Sequence, residues 1–277
     1  MIDYRATLTV LEDKDGTWLD LTTNAADYLR DPFDFELAPT TDFLYIGLHK
    51  PFGGFYIELD EASETQVALT GEIYVDGAWT TISLNDETRG LTRSGFITWD
   101  KSDMESATIN GKEAAYLRLS VGGSGVSLAI RGINIVFTDM ARLKQDFFEI
   151  DNVGILPTGE ASHIGVLVAS RNQIVQELRN MGYQKQRDNE LNKKMINQWD
   201  LLDIFEVKEA ATYAALSKIF FNLSGAVDDH WWAKHKEYQD KYKQMLRVVY
   251  LSIDENDDGV ADPNEKQKMI KVQRWVR

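Results

Sequence analysis

Twelve residues near the C-terminus, Asp254-Glu-Asn256-Asp-Asp258-Gly259-Val260-Ala-Asp262-Pro-Asn-Glu265, carry the pattern of a calcium-binding loop. A hard dication needs a shell of oxygens. Asp254, Asn256, Asp258, Asp262 and Glu265 offer side-chain oxygens at loop positions 1, 3, 5, 9 and 12. Val260 offers its carbonyl at position 7, and Gly259 at position 6 allows the sharp turn. The bland alternative is an acidic surface turn, since Asp, Asn and Gly are ordinary turn residues; so many matched positions favour a metal site. Ala261 stands where a regulatory EF-hand has a bulky apolar residue, and there is no second loop to pair with. Pro263 is tolerated in the first turn of an exiting helix. The expected cofactor is therefore a structural Ca2+, held as a clip and not as a sensor.

The remaining chemistry-bearing residues form no catalytic constellation. His49, His163, His230 and His235 lack the spacing of a zinc or di-iron site, so a structural role is expected for each. There is no cysteine, which excludes disulfides and thiolate chemistry. Carboxylates are too plentiful for one pair to be singled out as a glycosidase acid and nucleophile. Gly122-Gly-Ser-Gly125 lacks the Lys of a phosphate loop, and no nucleophile elbow occurs. The chain is expected not to be an enzyme. Phe52, Phe55, Tyr56, Trp79 and Trp99 would make a sugar-stacking platform if exposed, but strand alternation favours core positions for most of them. Trp231 and Trp232 are adjacent on a helix and cannot both face inward, which leaves one for a protein contact.

The elements that position these residues fall into two halves. Through about residue 139 the pattern is short and alternating: Arg5–Leu11, Phe33–Leu37, Phe43–His49 and Gly54–Leu59 read as strands. Gly71–Val75 and Ala78–Ile82 flank Asp76-Gly77, the pair expected of a two-residue hairpin. Ala114–Val121 and Val126–Phe137 follow, joined by Gly122–Gly125. This density of strands predicts an antiparallel β-sandwich. Beyond about residue 141 the period lengthens. Leu202, Phe205, Tyr213, Leu216, Phe220 and Leu223 form one helical stripe; Trp231, His235, Tyr238, Tyr242, Met245 and Val249 form another. Asp228 and Asp229 are placed to cap the second helix, and Asn222–Gly225 to stop the first. An earlier helix runs through Ile174, Leu178 and Met181, with Ser170 and Gln173 at capping-box spacing; Ile164–Val168 is either its first turn or a separate segment.

The expected class is thus α+β and multidomain: a β-sandwich at 1–140, a linker at 141–160, and a helical bundle at 161–277 ending in the calcium-type loop and a tail. Charge divides at the same place. Residues 1–140 hold 10 Lys+Arg against 23 Asp+Glu, a net of −13, and the rest hold 20 against 21, a net of −1. A total of −14 argues against general nucleic-acid binding. No apolar run approaches the roughly 20 residues of a membrane span. Met-Ile-Asp-Tyr-Arg at the start lacks the regions of a signal peptide, so synthesis and assembly in the cytoplasm are expected.

One further signal comes from resemblance. Leu201-Leu-Asp-Ile-Phe-Glu-Val-Lys-Glu-Ala-Ala-Thr-Tyr-Ala-Ala-Leu-Ser-Lys-Ile-Phe220 is followed by Asp228-Asp-His-Trp-Trp-Ala-Lys234 and by Tyr238 and Tyr242 on a charged helix. From Leu167 to the C-terminus the chain resembles the head-to-tail connector (adaptor, or head-completion) proteins of tailed bacteriophages. Leu91-Thr-Arg-Ser-Gly-Phe-Ile-Thr-Trp99 and Tyr116-Leu-Arg118 look like segments of β-domains in phage structural proteins. The resemblance implies a homo-oligomeric ring in the virion, usually twelvefold, docked on the portal protein and handing over to other neck or tail proteins. An N-terminal sandwich of this size departs from the family and would serve as a decoration or docking domain. Ala210, Ala211, Ala214 and Ala215 would allow close helix packing. In the tail, Lys271, Arg274, Trp275 and Arg277 would reach the portal or a neighbouring subunit. The rival expectation is a calcium-stabilised carbohydrate-binding module on a helical spacer.

Overall fold

The computed structural model describes residues 8–29, 31–39, 41–123, 125–152, 154–157, 162–185, 194–226, 229–254 and 266–268. The class is α+β, with antiparallel sheets up to Asn134 and a mainly helical chain from Met140 onward. Twelve strands build the first part: β1 (Thr9–Lys14), β2 (Thr17–Asp20), β3 (Phe33–Leu37), β4 (Asp42–Leu48), β5 (Gly54–Glu61), β6 (Leu69–Val75), β7 (Ala78–Ile82), β8 (Asn85–Asp86), β9 (Gly95–Thr98), β10 (Ser106–Ile109), β11 (Lys112–Val121) and β12 (Val126–Asn134). A short helix, α1 (Thr22–Ala26), interrupts them. Seven strands form one sheet in the order β2-β1-β4-β11-β6-β7, with β10 also paired to β11. Five form a second sheet in the order β3-β12-β5-β9-β8.

The turns follow from residue type. Asp76 and Gly77 adopt φ of 50° and 80°, as a two-residue hairpin between twisted strands demands. The same device recurs at Asp15-Gly16, between β1 and β2, and at Asn110-Gly111, between β10 and β11. Gly122–Gly125, by contrast, carries the chain from one sheet to the other, because β11 and β12 lie in different sheets. The strand expected at Arg5–Leu11 is seen from Thr9 and continues to Lys14.

Both sheets and the helices share one hydrophobic core. Leu44, Ile46 and Leu117 of the seven-stranded sheet and Phe35, Ile57 and Ile130 of the five-stranded sheet belong to the same buried cluster as Ile174, Ala211 and Leu246. The stretch expected as a linker carries α2 (Met140–Asp146) and a 3-10 turn, Phe148–Asp151, and buries Leu143 and Ile150 completely. Asp139 caps α2, accepting from the Arg142 N–H at 2.6 Å.

Three longer helices follow: α3 (Ile164–Asn180), α4 (Lys208–Leu223) and α5 (His230–Val248). Ile164–Val168 is the opening of α3, because Ile164 and Leu167 are buried on its inner face. Ser170 therefore lies mid-helix and returns its hydroxyl to the Leu167 carbonyl at 2.8 Å, so the expected capping box is not formed there. Leu202 and Phe205 precede α4; Phe205 sits in a 3-10 turn, Ile204–Val207. Ala210, Ala211, Ala214 and Ala215 are all at most 1% exposed, so this small-residue face is consumed within the chain. Asp229 caps α5 through the Trp232 N–H at 2.7 Å; Asp228 lies outside the described residues. Short paired strands complete the chain: β13 (Gln184–Lys185) with β14 (Lys194–Met195), and β15 (Tyr250–Ser252) with β16 (Lys266–Lys268). The calcium-type loop is therefore flanked by paired strands and not by the two helices of an EF-hand. Among the described residues no helix is long and apolar enough to cross a membrane.

Candidate functional site

Asp254, the first residue of the calcium-type loop, is fully buried. Its Oδ2 accepts from Lys50 Nζ at 3.0 Å, and the same ammonium donates to Asp200 Oδ1 at 2.9 Å. Backbone bonds reinforce the junction, with Asp254 N–H donating to the Asp200 carbonyl and Leu202 N–H to the Ser252 carbonyl, both at 2.9 Å. Burial alone would lower the Lys50 pKa; attraction and hydrogen bonding from Asp200, then from Asp254, overcome it and hold the pKa above its usual value. Lys50 follows β4, so this ion cluster ties the sheets to the C-terminal segment. Asp254 Oδ1 is buried with no hydrogen-bond partner among the described residues. Oδ1, which no described residue engages, is the Asp254 oxygen left to act as a monodentate first ligand of a calcium site. Asn256, Asp258, Val260, Asp262 and Glu265 lie outside the described residues, as do Lys271, Arg274, Trp275 and Arg277. Among the described residues no group of three acidic or histidine side chains could hold a metal ion.

Trp231 and Trp232 turn to different sides of α5, as their adjacency requires. Trp231 stacks on Phe220 with ring centroids 5.7 Å apart and meets Phe147 edge-on. Trp232 lies against Phe221 and His235, with Lys236 Nζ 5.0 Å from its ring centroid. Beside it a groove of about 600 Å³ opens between α3, α4 and α5, with Ala214 and Tyr242 among its lining residues. Two strongly exposed apolar side chains also line it, Leu29 at 69% and Phe221 at 52%. His235 is held at its edge by Ser217, whose carbonyl is 2.9 Å from Nδ1. Burial pushes the Lys218 pKa down, against a pull upward from Glu177.

A cavity of about 520 Å³ lies where the five-stranded sheet meets α2 and the start of α3. Sequence reading did not single out its principal group, Glu58. This carboxyl is buried and accepts from the Tyr56 hydroxyl at 2.7 Å. Burial raises its pKa, and the hydroxyls of Tyr56, Ser162 and Ser94 with the Arg131 charge only partly oppose this. Asp139, at the same cavity, has both oxygens engaged, by the Arg142 N–H and by Lys208 Nζ at 2.8 Å. It is a helix cap in an ion pair and not a free base.

The aromatic residues divide. Phe52, Phe55, Tyr56 and Trp99 are buried, and Phe52 meets Trp99 edge-on at 4.9 Å. Trp79 instead lies half-buried on the outer face of the seven-stranded sheet, with Trp18, Phe43, Tyr45 and Tyr74. The strand β4 held a signal for this face: Phe43 and Tyr45 alternate with Leu44, Ile46 and Leu48, which point to the core. The register places Tyr45 opposite Arg118, whose guanidinium sits 4.5 Å from the Phe43 centroid and 4.6 Å from that of Trp79.

No family model matches the chain, and no curated protein matches it. Among solved structures, a variant of chitosan-binding module 1 from a chitosanase/glucanase of Paenibacillus sp. IK-5 is 14% identical, with a TM-score of 0.29, over 47% of this chain and 95% of that one. A family 89 glycoside hydrolase from Clostridium perfringens is 12% identical, with a TM-score of 0.29, over 64% of this chain and 20% of that one. Likeness at this level carries no argument about what the chain does.

Proposed function

We propose that this chain is a structural, non-enzymatic protein of the phage neck. In this reading it is a head-to-tail connector whose helical half binds the portal ring and neighbouring copies while its acidic half faces outward. The two large sheets are the faces of a β-sandwich, and α3, α4 and α5 are a bundle laid against it. The observation that carries the reading is the apolar rim of the helical groove, where exposed Leu29 and Phe221 line the opening and the partly buried Trp232 lies against Phe221. Large exposed apolar side chains beside a concavity mark protein contacts more often than idle surface. The alanine face of α4 is used internally, so the contact surface falls to this rim. The charge split supports the same arrangement, with a nearly neutral half in a crowded ring and a half of net −13 in solvent. The virion is the corresponding location, with assembly in the host cytoplasm.

Calcium enters as a clip: Asp254 Oδ1, the side chains of Asn256, Asp258, Asp262 and Glu265, and the Val260 carbonyl would hold the ion and set the direction of the basic tail. An ion that binds only the folded chain would stabilise it by about 3 kcal/mol at a hundredfold excess over its dissociation constant. A melting temperature unmoved by calcium would remove the clip. For the assembly role, the protein is mixed with portal protein and viewed by negative-stain microscopy. Rings capping the portal are expected, and Phe221→Asp should abolish them while leaving the monomer folded. Wild-type protein that stays monomeric beside intact portals would overturn the connector reading.

A further inference from the structure

The outer face of the seven-stranded sheet is built as a platform, and among the described residues no other element packs on its aromatic cluster. Strand register sets Asp13 opposite Trp18 and Phe43, Leu11 opposite Tyr45, Glu72 opposite Arg118, and Tyr74 opposite Trp79, all on one side. Ring centroids are 5.3 Å apart for Trp18 and Tyr45, 5.6 Å for Tyr45 and Trp79, and 5.5 Å for Tyr74 and Trp79. Tyr116 packs over Gly47, where an added Cβ would come within 2.4 Å of its ring. Every member of this cluster belongs to the sheet itself, so among the described residues no helix covers it. Trp18, Phe43, Tyr74 and Trp79 remain partly exposed. Each ring is braced by its neighbours, so a ligand that stacked on them would cost little side-chain entropy.

Charge narrows what such a ligand is. Among the described residues, the cations on the face are Arg118 and Lys112, and both are paired, Arg118 Nε with Glu72 at 2.8 Å and Lys112 with Asp20. The surrounding half carries a net of −13 and repels nucleic acid, anionic lipid and acidic polymers. An uncharged ligand with flat C–H faces for the rings and hydroxyls for carboxylates such as Asp13 meets no such repulsion and matches the chemistry of the face. A pyranose has both. We propose that this face docks a neutral glycan chain, with sugar rings stacked on Trp18 and Trp79 and the Arg118–Glu72 pair fixing the ring between them. The inference does not depend on the connector reading; it assigns a task to the half for which that reading had only a general one. The five-stranded sheet cannot substitute, because Phe52, Phe55, Tyr56 and Trp99 are sealed in the interior.

The test uses the full chain on a glycan array, followed by calorimetry with the neutral hexasaccharides cellohexaose and chitohexaose, and with heparin as the anionic control. At least one neutral glycan should bind, with little dependence on salt. Trp18→Ala and Trp79→Ala should each weaken binding about tenfold, the scale of one lost stacking contact, while Phe221→Ala should not. Trp79→Phe keeps a ring and should retain most of the affinity, which separates stacking from mere sheet integrity. In the unaltered protein, hydrogen exchange with bound glycan should slow at Phe43–Tyr45 and Tyr74–Trp79. Absence of any neutral-glycan binding, preference for heparin, protection confined to the helices, or a Trp79→Ala protein that binds like wild type would each overturn the proposal. So would a wild-type dimer that Trp79→Ala converts to monomer, since the face would then be a self-association surface. A failed ring assay on portals alters none of these outcomes.

Discussion

On the outer face of the five-stranded sheet Tyr56 and Phe96 are 1% exposed, whereas on the outer face of the seven-stranded sheet Trp18, Phe43, Tyr74 and Trp79 are only partly buried. The strands that carry these rings obey the same alternation. The difference is the cover: Tyr56 and Phe96 share a buried cluster with Leu167, Leu216 and Phe220 of α3 and α4, and the other face has no such partner among the described residues. Cover changes the chemistry of what lies beneath it. Glu58, two residues beyond Tyr56 and on the same face, would be an ordinary surface carboxylate on an open sheet. Under the helices it is desolvated, its pKa rises, and it relies on hydroxyl donors. Arg118 and Glu72, on the open face, form a pair that water can still reach.

The largest effect is expected at the seam between the sheets and the C-terminal segment. Lys50→Met leaves Asp200 and Asp254 buried without their shared cation, and should destabilise the protein by about 3–5 kcal/mol in urea unfolding. A loss within 1 kcal/mol, roughly what a surface pair is worth, would mean that the C-terminal segment is not held to the sheets through this cluster. Next comes the covered face. Phe96→Ala removes a ring packed on Tyr56 and Phe205, and should cost about 3 kcal/mol or more as a cavity beneath the helices.

Glu58→Gln makes the desolvation of the covered face visible in pH dependence. Because the folded-state pKa is raised, the native protein holds a proton that the unfolded chain has already released, so stability falls as pH rises from about 4.5 through the folded pKa. Glutamine cannot ionise and can still accept from Tyr56. The variant should therefore melt higher than wild type at pH 7, and the gap should close toward pH 4. A pH-independent difference would show that Glu58 is not desolvated. The smallest effect belongs to the open face, where Trp79→Ala should cost about 1 kcal/mol or less, as for a cross-strand aromatic pair. A loss equal to that of Phe96→Ala would erase the distinction between the faces.

Local structure was legible wherever one or two residues dictate a conformation. Asp76-Gly77 announces its hairpin, and Asp15-Gly16 and Asn110-Gly111 obey the same rule though their strands are less regular. Asp229 announces its cap. The start of α3 was ambiguous because Ile164–Val168 is a short apolar run that suits a strand as well as a buried helical turn. Ser170 and Gln173 have capping-box spacing, but a serine side chain can also return to the backbone inside a helix, and here it does. The candidate site was legible in part. Trp79 could be named, but its companions Trp18, Phe43 and Tyr45 come from distant strands that only pairing brings together.

The sequence by itself determined the change from strand to helical period near residue 140, the tight turns, the cap of α5, the charge split and the oxygen-rich loop that begins at Asp254. These depend on neighbours along the chain, where spacing and side-chain chemistry suffice. Tertiary structure alone decided which sheet face the helices cover, and hence which rings are core and which are surface. It also decided that Asp254 shares Lys50 with Asp200, residues 204 and 150 positions from that lysine. Alternation tells which residues share a face of a strand; it holds no information on what packs against that face, because the partner is supplied by a chain segment far away in sequence.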